Sequence, residues 1–119
     1  MRATATVLFI ASLASTALGA ATKFYSDDKC EHEIGKKVYN GFSTGDAPIP
    51  KEAVAIKSDS IMDVWYSYQR NDGKNCQGDL ILRLDNGKCY NLEKDLGSAG
   101  CTRLCVNALG GGECASSPA

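Results

Sequence analysis

The residues with chemistry to offer are six cysteines and a single histidine. The cysteines are Cys30, Cys76, Cys89, Cys101, Cys105 and Cys114, and the histidine is His32. A thiol can be a nucleophile, a metal ligand or half of a disulfide. A nucleophile needs a base beside it and a third group to orient that base. His32 lies in the charged run Cys30-Glu31-His32-Glu33, with no second histidine and no serine elbow, so it reads as a surface residue. Cys101-x3-Cys105 lacks the close cysteine pairs of a zinc site. Glu31 with Glu33, or Asp79 with Asp85, would supply two carboxylates, but a small domain has little room for a glycosidase cleft. The expectation is therefore no catalytic residue, no metal, no cofactor and no enzymatic activity. An even number of cysteines in a small exported domain points to three disulfides. The sequence leaves their pairing open, with one exclusion. On a strand, Cys101 and Cys105 lie about 13 Å apart, beyond disulfide reach, and so take different partners.

Export itself is expected from the N-terminus. Met1-Arg2 begins it, Val7-Leu8-Phe9-Ile10-Ala11-Ser12-Leu13 is a short apolar run, and Ala17-Leu18-Gly19 has small residues where a signal peptidase reads. Residues 1–19 thus read as a secretory signal peptide. Cleavage after Gly19 leaves 100 of the 119 residues, with Ala20 or Ala21 as alternative cleavage points. No other apolar run is long enough for a membrane helix, so no membrane insertion is expected. Residues 20–109 read as one all-β domain, a small disulfide-stabilised antiparallel sandwich or barrel, and residues 110–119 as a glycine-rich tail tethered by Cys114. The net charge is −1 and there is no basic block, which argues against nucleic acid and anionic bilayers as partners. No Asn-x-Ser/Thr sequon occurs.

The elements expected are strands. Segments 22–26, 36–39 and 51–57 are short extended runs; in the last, Ala53, Ala55 and Lys57 share one face and Val54 and Ile56 the other. Segment 61–69 alternates clearly: Met62, Val64, Tyr66 and Tyr68 form one face, read as core, and Asp63, Trp65, Ser67 and Gln69 the other. Trp65 is therefore expected over the second face or exposed. Segment 79–84 points Leu80, Leu82 and Leu84 inward. Asp85-Asn86-Gly87-Lys88 follows, and Asn-Gly between apolar runs predicts a type I′ hairpin returning along 88–92. Segment 101–106 is a last strand. No apolar run at helical spacing reaches ten residues, so no helix is expected.

With no reacting group, function falls to surfaces. Segment 40–50 is a long loop for so small a domain, and long loops are often functional. Its Phe42 and Ile49 are candidate partner anchors or lids on the core. Tyr39 and Trp65 are a candidate aromatic patch, with packing in the core or on the second face as the alternative.

Two segments share a layout. Tyr25 is followed by Cys30 and Gly35, and Tyr68 by Cys76 and Gly78, each then running through extended segment, loop and extended segment. With Lys23-Phe24-Tyr25-Ser26-Asp27-Asp28, 53–58, 65–70, Gln77-Gly78 and 79–85, the chain resembles the βγ-crystallin superfamily over nearly all of 22–106. The resemblance implies a double Greek-key sandwich, with Gly35 and Gly78 at positive φ in folded-over hairpins. That family's calcium positions fall on Pro48-Ile49 and Gly97-Ser98, which offer no carboxylate, so no such site is expected. Asp27, Asp28 and Asp59 read as turn formers and solvated groups. More broadly, the chain resembles the small secreted cysteine-rich proteins of filamentous fungi. That implies a fungal effector or elicitor, acting as a monomer on an extracellular protein or cell-surface component of a host or competitor organism. A killer-toxin-like antimicrobial and a protease inhibitor that inserts the 40–50 loop are the alternatives.

Overall fold

The computed structural model describes residues 19–40, 45–61, 63–105 and 114. Residues 1–18, which hold most of the expected signal peptide, and Phe42, Met62 and the tail other than Cys114 lie outside the described residues. Among the described residues, eight strands and one short helix follow in order: β1 (Gly19–Tyr25), β2 (Glu33–Asn40), β3 (Gly45–Pro48), β4 (Ala55–Ser60), β5 (Val64–Asn71), β6 (Cys76–Leu84), β7 (Cys89–Asn91), α1 (Leu92–Leu96) and β8 (Cys101–Cys105). They form two four-stranded antiparallel sheets, ordered β2-β1-β4-β7 and β3-β8-β5-β6. The chain is all-β and tied by disulfides, as the alternation and the cysteine count imply. The two halves of the chain repeat one plan: a hairpin (β1–β2, β5–β6), a third strand given to the opposite sheet (β3, β7), and a fourth beside the first (β4, β8).

Between the sheets lies the main core. One sheet contributes Ala20, Phe24, Ile56 and Tyr90, the other Ala47, Trp65, Leu84 and Leu104, and Ile49, Leu92, Leu96 and Ala99 close one end. Buried hydroxyls are satisfied: Thr22 and Ser58 share a 2.7 Å hydrogen bond, and Ser67 Oγ donates to the Leu82 carbonyl. Among the described residues no buried side-chain polar atom lacks a partner.

Several sequence expectations are corrected. Trp65 is 1 % exposed and central to the core, not over the second face. Its neighbours Asp63 and Ser67 are polar yet buried, so polarity misreported which face points inward. Leu80 and Leu82 are each 41 % exposed instead of inward. β6 is an edge strand, and the β5–β6 register shifts between Ser67 and Tyr68 and again between Tyr68 and Arg70, so strict alternation fails there. Part of the 40–50 loop is strand β3, paired to β8. The 51–57 run begins as a turn and becomes strand only at Ala55, which leaves Val54 exposed.

The 85–88 turn is not a hairpin. β7 pairs with β4 in the opposite sheet, not with β6. Gly87 has φ 71° while Asn86 is not at positive φ, the pattern of a type II rather than type I′ turn. The Asn86 side chain bonds both the N–H and the carbonyl of Ser60, and the Gly87 N–H donates to the Ser58 carbonyl. These contacts draw the turn onto β4. Then comes α1, which the sequence reading missed. Asn91 caps it by accepting from the Lys94 N–H, and Gly97 ends it at φ 55°. Of the two repeat glycines, Gly78 has positive φ (83°) and Gly35 does not.

Two aspartates organise the hairpin loops. Asp27 accepts from the N–H groups of Lys29, Glu31 and His32, and Asp72 from those of Lys74 and Asn75 and from the Gln77 amide. The bond from His32 leads in holding the Asp27 carboxyl below its usual pKa of 3.8, and that from Asn75 does so for Asp72. A carboxylate with a lowered folded pKa stabilises the fold above its unfolded pKa, and that contribution is lost as pH falls through the folded value. The protein should therefore lose stability as pH drops below about 4. Asp27→Asn/Asp72→Asn should flatten that dependence in urea titrations at stepped pH. Parallel pH curves for variant and wild type would show that the two loops do not carry it.

Candidate functional site

The six cysteines are all bonded, as Cys30–Cys89, Cys76–Cys101 and Cys105–Cys114. Cys101 and Cys105 do take different partners. Among the described residues no three His, Cys, Asp or Glu side chains are grouped to hold a metal ion. His32 is exposed in the β1–β2 loop, engaged through its backbone with Asp27 and Ser26.

Each sheet carries a small cluster on its outer face, built the same way. On one, Tyr25 packs with Cys30, Ala55 and Cys89; on the other, Tyr68 packs with Cys76, Cys101 and Tyr66. In each, a disulfide holds the folded-over hairpin loop against the tyrosine. Ala55 lies opposite Tyr25 and Cys101 opposite Tyr68, so Lys57 and Arg103, each two residues on, occupy equivalent places. Both put a cation over the ring: Lys57 Nζ lies 5.8 Å from the Tyr25 centroid and Arg103 Cζ 4.9 Å from that of Tyr68.

Around Arg103 the environment is a closed charge network. Its Nε and Nη2 donate to the two Asp46 carboxylate oxygens at 2.6 and 3.1 Å. Its Nη1 donates to the Cys114 carbonyl at 3.2 Å, and Asp46 also accepts the Cys76 N–H at 2.7 Å. The two side chains are 11 % and 10 % exposed. Bonding to Asp46 raises the guanidinium pKa further, and burial raises that of the Tyr68 hydroxyl. The network clasps β3, β8, β6 and the chain near its C-terminus. Nothing in it is a nucleophile; its role is to hold.

Of the residues singled out as partner anchors, the three that are described do not together form an exposed surface. Ile49 is buried at the end of the core. Tyr39 and Trp65 do meet, with ring centroids 6.1 Å apart, but Trp65 is buried and only Tyr39 is partly exposed. Tyr39 donates its hydroxyl to the Asp46 carbonyl and Trp65 its indole N–H to that of Asp59. Phe42 lies outside the described residues. What the surface does offer is a groove of about 430 Å³ at the end of the sandwich, between the 49–54 turn, the start of α1 and the 98–100 segment. Ile49, Leu92 and Ala99 form an apolar floor, while Lys51, Asn71, Asn91, Glu93 and Ser98 supply a polar rim. Ser98 stands there at φ 63°, an uncommon conformation for a residue with a side chain. Among the described residues no paired base and nucleophile lines the groove. The sequence flagged only its Ile49; the rest converges from segments too distant in the chain for spacing to reveal.

Compared with protein-family models, with curated proteins and with solved structures, the chain finds no match.

Proposed function

We propose that this protein is an exported, non-catalytic recognition protein, an effector or elicitor of the fungal cysteine-rich kind, built on a βγ-crystallin-like double Greek key. The observation that carries the reading is the pairing of all six cysteines within one small two-sheet fold. Three disulfides in a small protein are consistent with an extracellular location, where such bonds persist. The exchange of β3 and β7 between the sheets supports the crystallin-like topology. A scaffold locked this way presents a rigid exterior at little ordering cost, which favours binding. The inhibitor alternative is weakened by β3, because residues 45–48 of the 40–50 segment are already committed to a sheet.

The test is a pull-down with the oxidised protein from extracellular extracts of a plausible host, together with infiltration into host tissue. A retained partner and a defence response or cell death are expected. Inhibition of yeast or bacterial growth without either would favour the antimicrobial alternative, and turnover of any substrate would overturn the reading.

A further inference from the structure

The outer face of the β2-β1-β4-β7 sheet carries a row of lysines. Lys23 lies directly opposite Lys36 on one side and directly opposite Lys57 on the other, so three neighbouring strands each place a lysine in one line. Strands stand about 4.8 Å apart, so the row spans about 10 Å across the sheet. Like charges directly opposite one another destabilise a sheet. Among the described residues, none of the three has a carboxylate within ion-pair reach. The protein as a whole carries a net charge of −1, so the row is a local concentration and not a general excess.

The opposite sheet sharpens the point. There the cation over the tyrosine, Arg103, lies opposite Asp46 and is neutralised by it. In the lysine sheet the corresponding place opposite Lys57 is occupied by Cys89. One half of the molecule therefore closes its charge internally, and the other leaves it facing outward.

Acids bound the row on both sides. Glu33 lies opposite Tyr25 and Asp59 opposite Ala21, each about 7 Å along the strands from the lysine line. A bilayer or a duplex would bring its phosphates over those acids as well as over the lysines. A single thin chain laid across the strands would meet only the lysines. The aromatic ring nearest the row, Tyr25, is buried, so no platform is offered on which bases could stack. We infer that the Lys36–Lys23–Lys57 row is a docking site for a linear acidic polysaccharide, whose carboxylates or sulfates supply the missing counter-charges.

This rests on the reading of the protein as an extracellular recognition module. The test is titration of the oxidised protein with polygalacturonate and with heparin at low salt, using neutral dextran as the blank. Saturable binding to the acidic chains that weakens as salt rises is expected. Lys23→Gln/Lys36→Gln/Lys57→Gln should lose at least tenfold in affinity while its urea midpoint stays level or rises, because the repulsion is gone. Lys74→Gln/Arg83→Gln/Lys94→Gln, which removes the same charge elsewhere, should bind as the wild type does. No binding to either acidic chain, equal binding by the lysine-row variant, or preference for anionic vesicles or a single-stranded oligonucleotide would overturn the inference. A host response without glycan binding would sink this site and leave the proposed function standing; glycan binding without any host response would do the reverse.

Discussion

Asp46→Ala is expected to remove about 3–5 kcal/mol of folding free energy, read from the urea midpoint of the oxidised protein. The substitution leaves the Arg103 guanidinium nearly buried with its carboxylate gone, and leaves the Cys76 N–H without its acceptor. Removing one partner of a buried pair costs more than the pair contributes, because the desolvated charge stays behind. Small domains have roughly 5–15 kcal/mol in total, so this single change takes a large share. The double substitution Asp46→Leu/Arg103→Met should be far milder, within about 1 kcal/mol of wild type if the apolar pair fills the space. A cost below about 1 kcal/mol for Asp46→Ala would mean that water reaches the pair and that it does not hold the sheet.

Cys30→Ser/Cys89→Ser is the second large effect. This bridge spans a sequence separation of 59, against 9 for Cys105–Cys114. In the chain-entropy account, closing so long a loop stabilises by about 4 kcal/mol. The loss should also be local. β7 has three residues and pairs only with β4, so without the bridge it is the strand first to detach. Hydrogen exchange should quicken at Ile56 and Tyr90, which pair across β4 and β7, before the rest of the molecule opens. Unchanged protection at those residues, or a stability loss below about 1 kcal/mol, would show that hydrogen bonding and packing alone hold β7 in place.

The fold class was legible because period-two patterning and cysteine count are local signals. What failed was anything decided by register or by distant partners. Asn86-Gly87 does make a turn, but whether the chain returns to its own sheet depends on Ser58 and Ser60, far back in sequence. Trp65 was misplaced because Asp63 and Ser67, polar by type, are buried beside it. Leu80 and Leu82 were misplaced because β6 carries register shifts that no propensity announces. The helix 92–96 is too short for periodicity, though its capping pair, Asn91 and Gly97, stood in the sequence. Of the candidate surface, Ile49 was visible as an apolar residue without a periodic place. The lysine row was invisible because Lys23, Lys36 and Lys57 become neighbours only through strand pairing.

The exchange of β3 and β7 has a consequence for survival of proteolysis. The halves meet between β4 and β5 at Ile61, whose side chain is exposed and open to a protease. A single nick there frees neither piece. Each half still contributes a strand to its neighbour's sheet, and Cys30–Cys89 bonds one to the other. The clipped molecule would keep its shape and migrate as one species on a gel until a reducing agent was added.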